Sequence, residues 1–527
     1  QIDNEVAPHY DFTASQHFFI RSCCCKVCRK KFQEFMKERY GTIEALNEAW
    51  CLNLWSQKYD RFDQLPLPDP RVWHHPSLLQ AWEDFNAKSY IEFVKVQADI
   101  LHEMTAHPIG TDMMPFLDID HDEMNRDLDV VQYNHYDFWE GFRNAAFYFD
   151  YLRTIKDKQP FWNTETATCW GGGTTPSGYN HPGFCRANSW LPFALGGEAN
   201  LFWLWRTHWA GQELTHGSVL YSTGRPRHIF EEVQEVSQGL ERSGDFLRNT
   251  RPAPSEMALQ QSHEGHRLLR NQPVFHGFNY PNELLQKVYH PLIREQLRFD
   301  VISSTKDLSN YRLIYSPMIP CLDEAGLRER LKAWIEAGGV WIAGPFTDTR
   351  TLDGAKFRHA PYGSLEEWGG IYCRHKIPGV PKTFRIRWSD EKECEGSVVF
   401  DGYESRGAEV LATYTENELD GLAAVTRRPM GQGQVILMGT LPQADALAGF
   451  ISGIAAELGI EPVGQGAGNV LAVPRSGAGG EGIVLVELDN KSGEFVLPRE
   501  GVNLLTGNKV SGPVMMEPYG VMVVKYE

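Results

Sequence analysis

The sequence predicts an α/β protein built as part of a (β/α)8 TIM barrel, then a doubly wound flavodoxin-like α/β domain, then a small C-terminal β domain. Three observations carry this. Up to about Asp245, short apolar runs alternate with longer amphipathic stretches, and strands alternating with helices imply a parallel sheet. Arg251-Pro252-Ala253-Pro254-Ser255 reads as a linker, after which the alternation restarts. Gly-rich stretches at 464–468 and 476–482 then frame a tail of strand-like runs alone. The expected domains are 1–250, 251–462 and 463–527.

In the first part, helical periodicity covers Lys31 to Tyr40, Ile43 to Trp50 and Leu78 to His102. Buried-strand patterns cover Pro108 to Met114, Leu128 to Tyr136, Pro160 to Thr164 and Ala199 to Trp205. The fragment ending in Glu5 reads as a fifth strand end, so we expect barrel strands 4–8 here. A closed barrel needs eight, and we expect roughly three more βα units before Gln1, with the chain as given inactive alone. In the second part, strands are expected at Pro273 to His276, Leu313 to Tyr315, Val340 to Ala343 and Gln434 to Met438. Helices are expected at Leu284 to Leu297 and Glu324 to Ala337, the latter stopped by Gly338-Gly339. In the tail, strands are expected at Gly482 to Leu488, Glu494 to Leu497 and Val514 to Tyr526.

Composition narrows the partners. A formal charge of −17 opposes nucleic acid or an anionic membrane surface, both of which demand clustered Lys and Arg. No run of apolar residues is long enough to span a bilayer. Fifteen Trp suit a neutral ligand such as a sugar, whose C–H faces pack on aromatic rings, although a large aromatic core would give the same count.

Two glutamates stand apart from the 68 acidic residues, most of which solvate a surface. Glu5 follows Asn4 at one strand end. Glu165 ends the run Phe161-Trp162-Asn163-Thr164-Glu165 and precedes Cys169-Trp170-Gly171. Carboxylates at the C-terminal ends of parallel strands can hold a sugar between an acid and a nucleophile. A retaining mechanism needs the two carboxyl groups about 5–5.5 Å apart.

Four of the ten cysteines lie in Ser22-Cys23-Cys24-Cys25-Lys26-Val27-Cys28. Cys23, Cys25 and Cys28 form C-x-C-x-x-C, a spacing that can aim three thiolates at one tetrahedral Zn²⁺. A metal-free turn is the alternative, and the absence of regular pairing argues against a disulfide scaffold.

The segment Cys25-Lys26-Val27-Cys28-Arg29-Lys30-Lys31-Phe32, then Glu38-Arg39-Tyr40-Gly41-Thr42 and Trp55-Ser56-Gln57, resembles the stretch after the acid/base strand in the β-galactosidases of glycoside hydrolase family 42. The resemblance implies a retaining exo-β-galactosidase with Glu5 as acid/base and Glu165 as nucleophile. It implies that Asn4, Trp203, Glu213 and His216 bind the sugar, with Trp170 as a stacking surface. It further implies a homotrimer built through the second domain, no cofactor for catalysis, a structural zinc and a cytoplasmic setting. The chain departs from the family in having Asp112 where Asn is usual, and Tyr133-Asn134 where Trp-Asp is frequent. An α-L-arabinopyranosidase or β-fucosidase is a same-class rival. A non-catalytic carbohydrate-binding or assembly protein is a rival of another class.

Overall fold

The computed structural model describes residues 1–6, 25–69, 71–114, 119–136, 141–156, 159–172, 178, 180–379 and 382–527. Among the described residues, the first part holds four parallel strands in sequential order: β1 (Asp112–Met113), β2 (Gln132–His135), β3 (Trp162–Thr166) and β4 (Ala199–Phe202). Helices Pro76–Met104, Phe142–Ile155 and Phe184–Ala194 precede β1, β3 and β4, and Phe230–Arg248 comes after β4. Strands in sequence order joined by helical crossovers form an arc of barrel wall. The Glu5 fragment lies along the β1 edge, where Ile2 N–H donates to Gly110 O at 2.8 Å and Thr111 Oγ1 donates to Ile2 O at 2.7 Å.

The alternation within β2 decides what faces the site. Tyr133 and His135 turn outward onto Tyr148 and Phe149 of helix Phe142–Ile155, which leaves Asn134 for the inner face. Helix Lys26–Tyr40 starts on Cys25, whose Sγ accepts from Cys28 N–H at 3.4 Å, and stops at Gly41 with φ 72°, a left-handed position that suits glycine. The long helix Pro76–Met104 opens with Pro at its first position, where a missing N–H costs nothing.

In the second part, strands Asp300–Ser303, Met257–Gln261, Leu313–Ser316, Val340–Ala343 and Gly433–Met438 lie side by side and parallel. Numbered along the chain this order is 2-1-3-4-5, that of flavodoxin-like folds. The expected Leu313, Val340 and Gln434 strands lie in it. The strand expected at Pro273 to His276 does not form. That stretch makes a turn, with Phe278 N–H donating to Phe275 O at 3.0 Å. The doubly wound sheet carries an extension on one side. The sheet continues past Gly433–Met438 into antiparallel strands including Ala423–Met430, Glu409–Tyr414 and Phe384–Trp388.

The third sheet holds the tail and one unexpected member. Arg251–Pro252, read as linker, pairs with Arg475 and Ser476. The stretch from Val514 to Tyr526 forms two strands, Lys509–Met516 and Val521–Tyr526, parted at Tyr519 with φ 52°. One continuous apolar core joins all three parts. Within it buried Asp150 gathers Tyr289 Oη at 2.6 Å together with Arg298 and Arg153, so the ion cluster ties the barrel arc to the second part.

Candidate active site

Glu165 stands near the C-terminal end of β3, whereas Glu5, expected at a strand end, lies on a bend beside β1, and the two are linked through the Asn134 side chain and the β2–β3 register. Asn134 Nδ2 donates to Glu5 Oε1 at 3.1 Å and to Asp112 Oδ2 at 2.9 Å. Asn134 is also the register partner of Glu165 across β2 and β3. Thr164 Oγ1 lies 3.0 Å from Asn134 Oδ1, and Tyr136 Oη donates to Glu165 Oε2 at 2.7 Å. The Glu5 main chain is left-handed, with φ 50°, a conformation costing on the order of 1 kcal/mol for a residue with a Cβ. Its N–H donates to Asp112 Oδ1 at 3.1 Å, which ties this turn to β1.

The electrostatics reflect this crowding. Burial pushes the Glu165 carboxyl up to about 7, reinforced by the charges of Glu5, Asp112 and Glu213 and opposed by the Tyr136 hydrogen bond. Burial raises Asp112 as well. It also lifts the Tyr136 phenol far above its usual range, helped by the adjacent Glu165 charge, so Tyr136 remains a proton-bearing donor.

The loop after β4 supplies the other predicted residues. Trp203 Nε1 donates to Glu213 Oε2 at 3.1 Å, and the Trp203–Leu204 peptide is cis. His216 is buried, its pKa lowered by that burial. Its Nδ1 lies 2.9 Å from Gly217 O, which fixes the neutral ring with Nδ1–H donating and Nε2 as acceptor. The His216 ring meets the Tyr136 ring edge-on, centroids 6.0 Å apart, so this loop closes on the carboxylate network.

Trp170 is placed differently. Its Nε1 donates to Thr215 O at 2.9 Å and its ring stacks on His228, so it braces the loop that carries Glu213 and His216. Asn4 is exposed beside Glu5, with its N–H donating to Asp3 Oδ1 at 2.9 Å. Cys23 lies outside the described residues. Cys25 and Cys28 share one helix N-terminus, and among the described residues no group of three metal-ligating side chains forms. Tyr136 and Thr164 belong to the network without having been given a role by any sequence motif, while Asn134 stands in the Tyr133-Asn134 pair already noted as a departure from the family.

A carboxylate near the C-terminal end of a parallel strand, a second carboxyl group held beside the same sheet, and a tryptophan, an acid and a neutral histidine nearby are what a glycoside hydrolase requires. Comparison with known proteins agrees. Residues 1–243 match the β-galactosidase model of glycoside hydrolase family 42, and residues 255–461 match the β-galactosidase trimerisation domain. β-Galactosidase YesZ of Bacillus licheniformis is 29% identical over 539 residues, covering 99% of this chain and 78% of the relative. β-Galactosidase bgaB of Geobacillus kaustophilus is 25% identical, covering 97% and 75%. The crystal structure of a β-galactosidase from Bacillus circulans sp. alkalophilus superposes with a TM-score of 0.91 at 25% identity, covering 96% of this chain and 77% of that one. The chain belongs to glycoside hydrolase family 42.

Proposed function

We propose that this protein is a retaining exo-β-galactosidase that removes terminal, non-reducing β-D-galactose by double displacement. The observation that carries the reading is the set of hydrogen bonds and strand register that links Glu5, Asn134, Tyr136 and Glu165.

Tyr136 occupies Glu165 Oε2, which points to Oε1 as the attacking atom. Oε1 forms a bond to the anomeric carbon as the glycosidic C–O bond breaks, and the leaving oxygen takes its proton from Glu5. A water then attacks the glycosyl-enzyme, giving its proton back to Glu5 and releasing Glu165 as carboxylate. Asn4, beside Glu5, reaches toward the sugar hydroxyls. Glu213 and the Nε2 acceptor of His216 receive sugar O–H groups, while the Trp203 ring forms a wall. No redox or nucleotide cofactor is required by these steps.

The galactose assignment draws on the named relatives. A panel of nitrophenyl glycosides checks it: galactoside should be the preferred member, and preference for the arabinopyranoside or fucoside would replace it. Glu165→Gln should abolish turnover. Glu5→Gln should keep activity mainly toward substrates with good leaving groups, which need little protonation. Full activity in Glu165→Gln would sink the assignment.

Assembly and metal complete the proposal. The match to a trimerisation domain, together with the exposed Leu54, Trp55, Val72 and Trp73, supports a homotrimer that buries this apolar patch. Cys23, Cys25 and Cys28 are the proposed zinc ligands, supported by the shared helix start of Cys25 and Cys28. The ion would be structural, fixing the entry to helix Lys26–Tyr40. Cys51, Cys169, Cys185, Cys321, Cys373 and Cys394 are thiols outside any disulfide, which fits a reducing, cytoplasmic setting.

A further inference from the structure

We infer that Asp112 is a positioning residue for Glu5: it holds the Glu5 main chain and fixes the Asn134 amide on Glu5 Oε1, so that the transferable proton is carried on Oε2. The inference rests on the catalytic reading above.

Asp112 opens β1 and is fully buried. Its two oxygens do different work, Oδ1 accepting Glu5 N–H at 3.1 Å and Oδ2 accepting from Asn134 Nδ2 at 2.9 Å. The Asn134 amide has two hydrogens, and the second points at Glu5 Oε1, 3.1 Å away. Thr164 Oγ1 stands 3.0 Å from its carbonyl oxygen. A flipped amide would set that oxygen against two carboxyl groups, so these contacts fix its orientation.

The consequence for Glu5 is stereochemical. A carboxyl group that accepts an N–H on one oxygen carries its proton on the other, because the carbonyl-type oxygen is the better acceptor. Asn134 takes Oε1, so Oε2 is the donor to the leaving oxygen. Without Asp112, the Asn134 amide loses the partner that aims it, and the left-handed turn at Glu5 loses the acceptor for its N–H.

Charge acts in the same direction. Among the described residues, Asp112 on β1, Tyr136 after β2 and Glu165 on β3 act on or against Glu5, with Asp3 on its own turn acting on Asp112 and Glu213 after β4 acting on Glu165. Every ionisable carboxyl among them favours protonated Glu5. Replacing Asp112 by a neutral residue therefore favours loss of the Glu5 proton, and the alkaline limb of activity moves to lower pH.

The test measures kcat/KM against pH for wild type, Asp112→Asn, Asn134→Ala and Glu165→Gln, on a dinitrophenyl galactoside and on a galactosyl disaccharide. Asp112→Asn and Asn134→Ala should lose roughly 10- to 100-fold on the disaccharide, and less than about threefold on the activated substrate. The alkaline limb of Asp112→Asn should move down. Equal losses on both substrates with an unmoved limb would overturn the inference and leave Asp112 a purely structural residue. Should Asp112→Asn fail to fold, Asn134→Ala decides the matter, since it keeps Asp112 and removes only the amide. Full activity of Glu165→Gln, or no galactosidase activity in wild type, would instead strike the catalytic reading itself.

Discussion

Glu165 must be ionised to attack, yet burial and three neighbouring carboxyl groups hold its proton to about pH 7. A carboxyl raised to that value is protonated below it, so kcat/KM should rise with pH through about 7. Tyr136 opposes the shift by donating to the carboxylate form. Tyr136→Phe removes that donor, and the acidic limb of the pH profile should move to higher pH. A limb that stayed in place would show that Tyr136 does not stabilise the nucleophile's charge. The two glutamates were legible in the sequence because each ends a short run of strand character beside Asn or aromatic residues. Asn134 and Tyr136 were not, because Gln132-Tyr133-Asn134-His135-Tyr136 has polar and aromatic side chains on both faces, and only packing against Phe149 shows which face is outside.

Among the elements, the loop after β4 depends on close backbone approach. A Cβ at Gly217 would clash with Trp170 O and meet Cys169 Sγ at 2.7 Å. Gly217→Ala should therefore displace His216 and lower kcat/KM by about 100-fold, the typical cost of an ångström-scale misplacement, while circular dichroism stays native. Unchanged kinetics would show that the loop tolerates the shift. Helix ends depend on a distant side chain. Buried Arg475 donates to the carbonyls of Phe193, Ala194, Leu247 and Thr250, closing the C-terminal ends of two barrel helices from the third sheet. Burial lowers its pKa to about 10, so it stays charged at neutral pH. Arg475→Met strips these carbonyls of their donor, and denaturant titration should show a loss of about 3–5 kcal/mol. Nothing in the sequence marks this arginine, which sits in a β-strand and acts on helices more than 200 residues away. The antiparallel extension was equally hidden. Phe384-Arg385-Ile386-Arg387-Trp388 alternates as a half-exposed strand should, but only the sheet shows that it extends a parallel core.

The whole molecule joins a barrel arc, a flavodoxin-like sheet with an antiparallel wing, and a β sheet that recruits Arg251–Pro252. Parallel strands with full apolar runs, such as Leu313–Ser316 and Val340–Ala343, announced themselves because both faces are buried. Assembly is tested by light scattering, where the proposed trimer should weigh about three times the 59.9 kDa chain. A monomer would refute it. Metal analysis of protein prepared without chelator should find about one zinc per subunit, and protein free of zinc would reject the cysteine site. Double displacement requires Glu165 to become covalently bound to galactose. A 2-deoxy-2-fluoro-galactoside with a dinitrophenyl leaving group slows the second step, and mass spectrometry of the digested protein then locates the adduct. One fluorogalactosyl group is expected on the peptide containing Glu165; an adduct on Glu5, or hydrolysis with inverted configuration and no adduct, would contradict double displacement at Glu165.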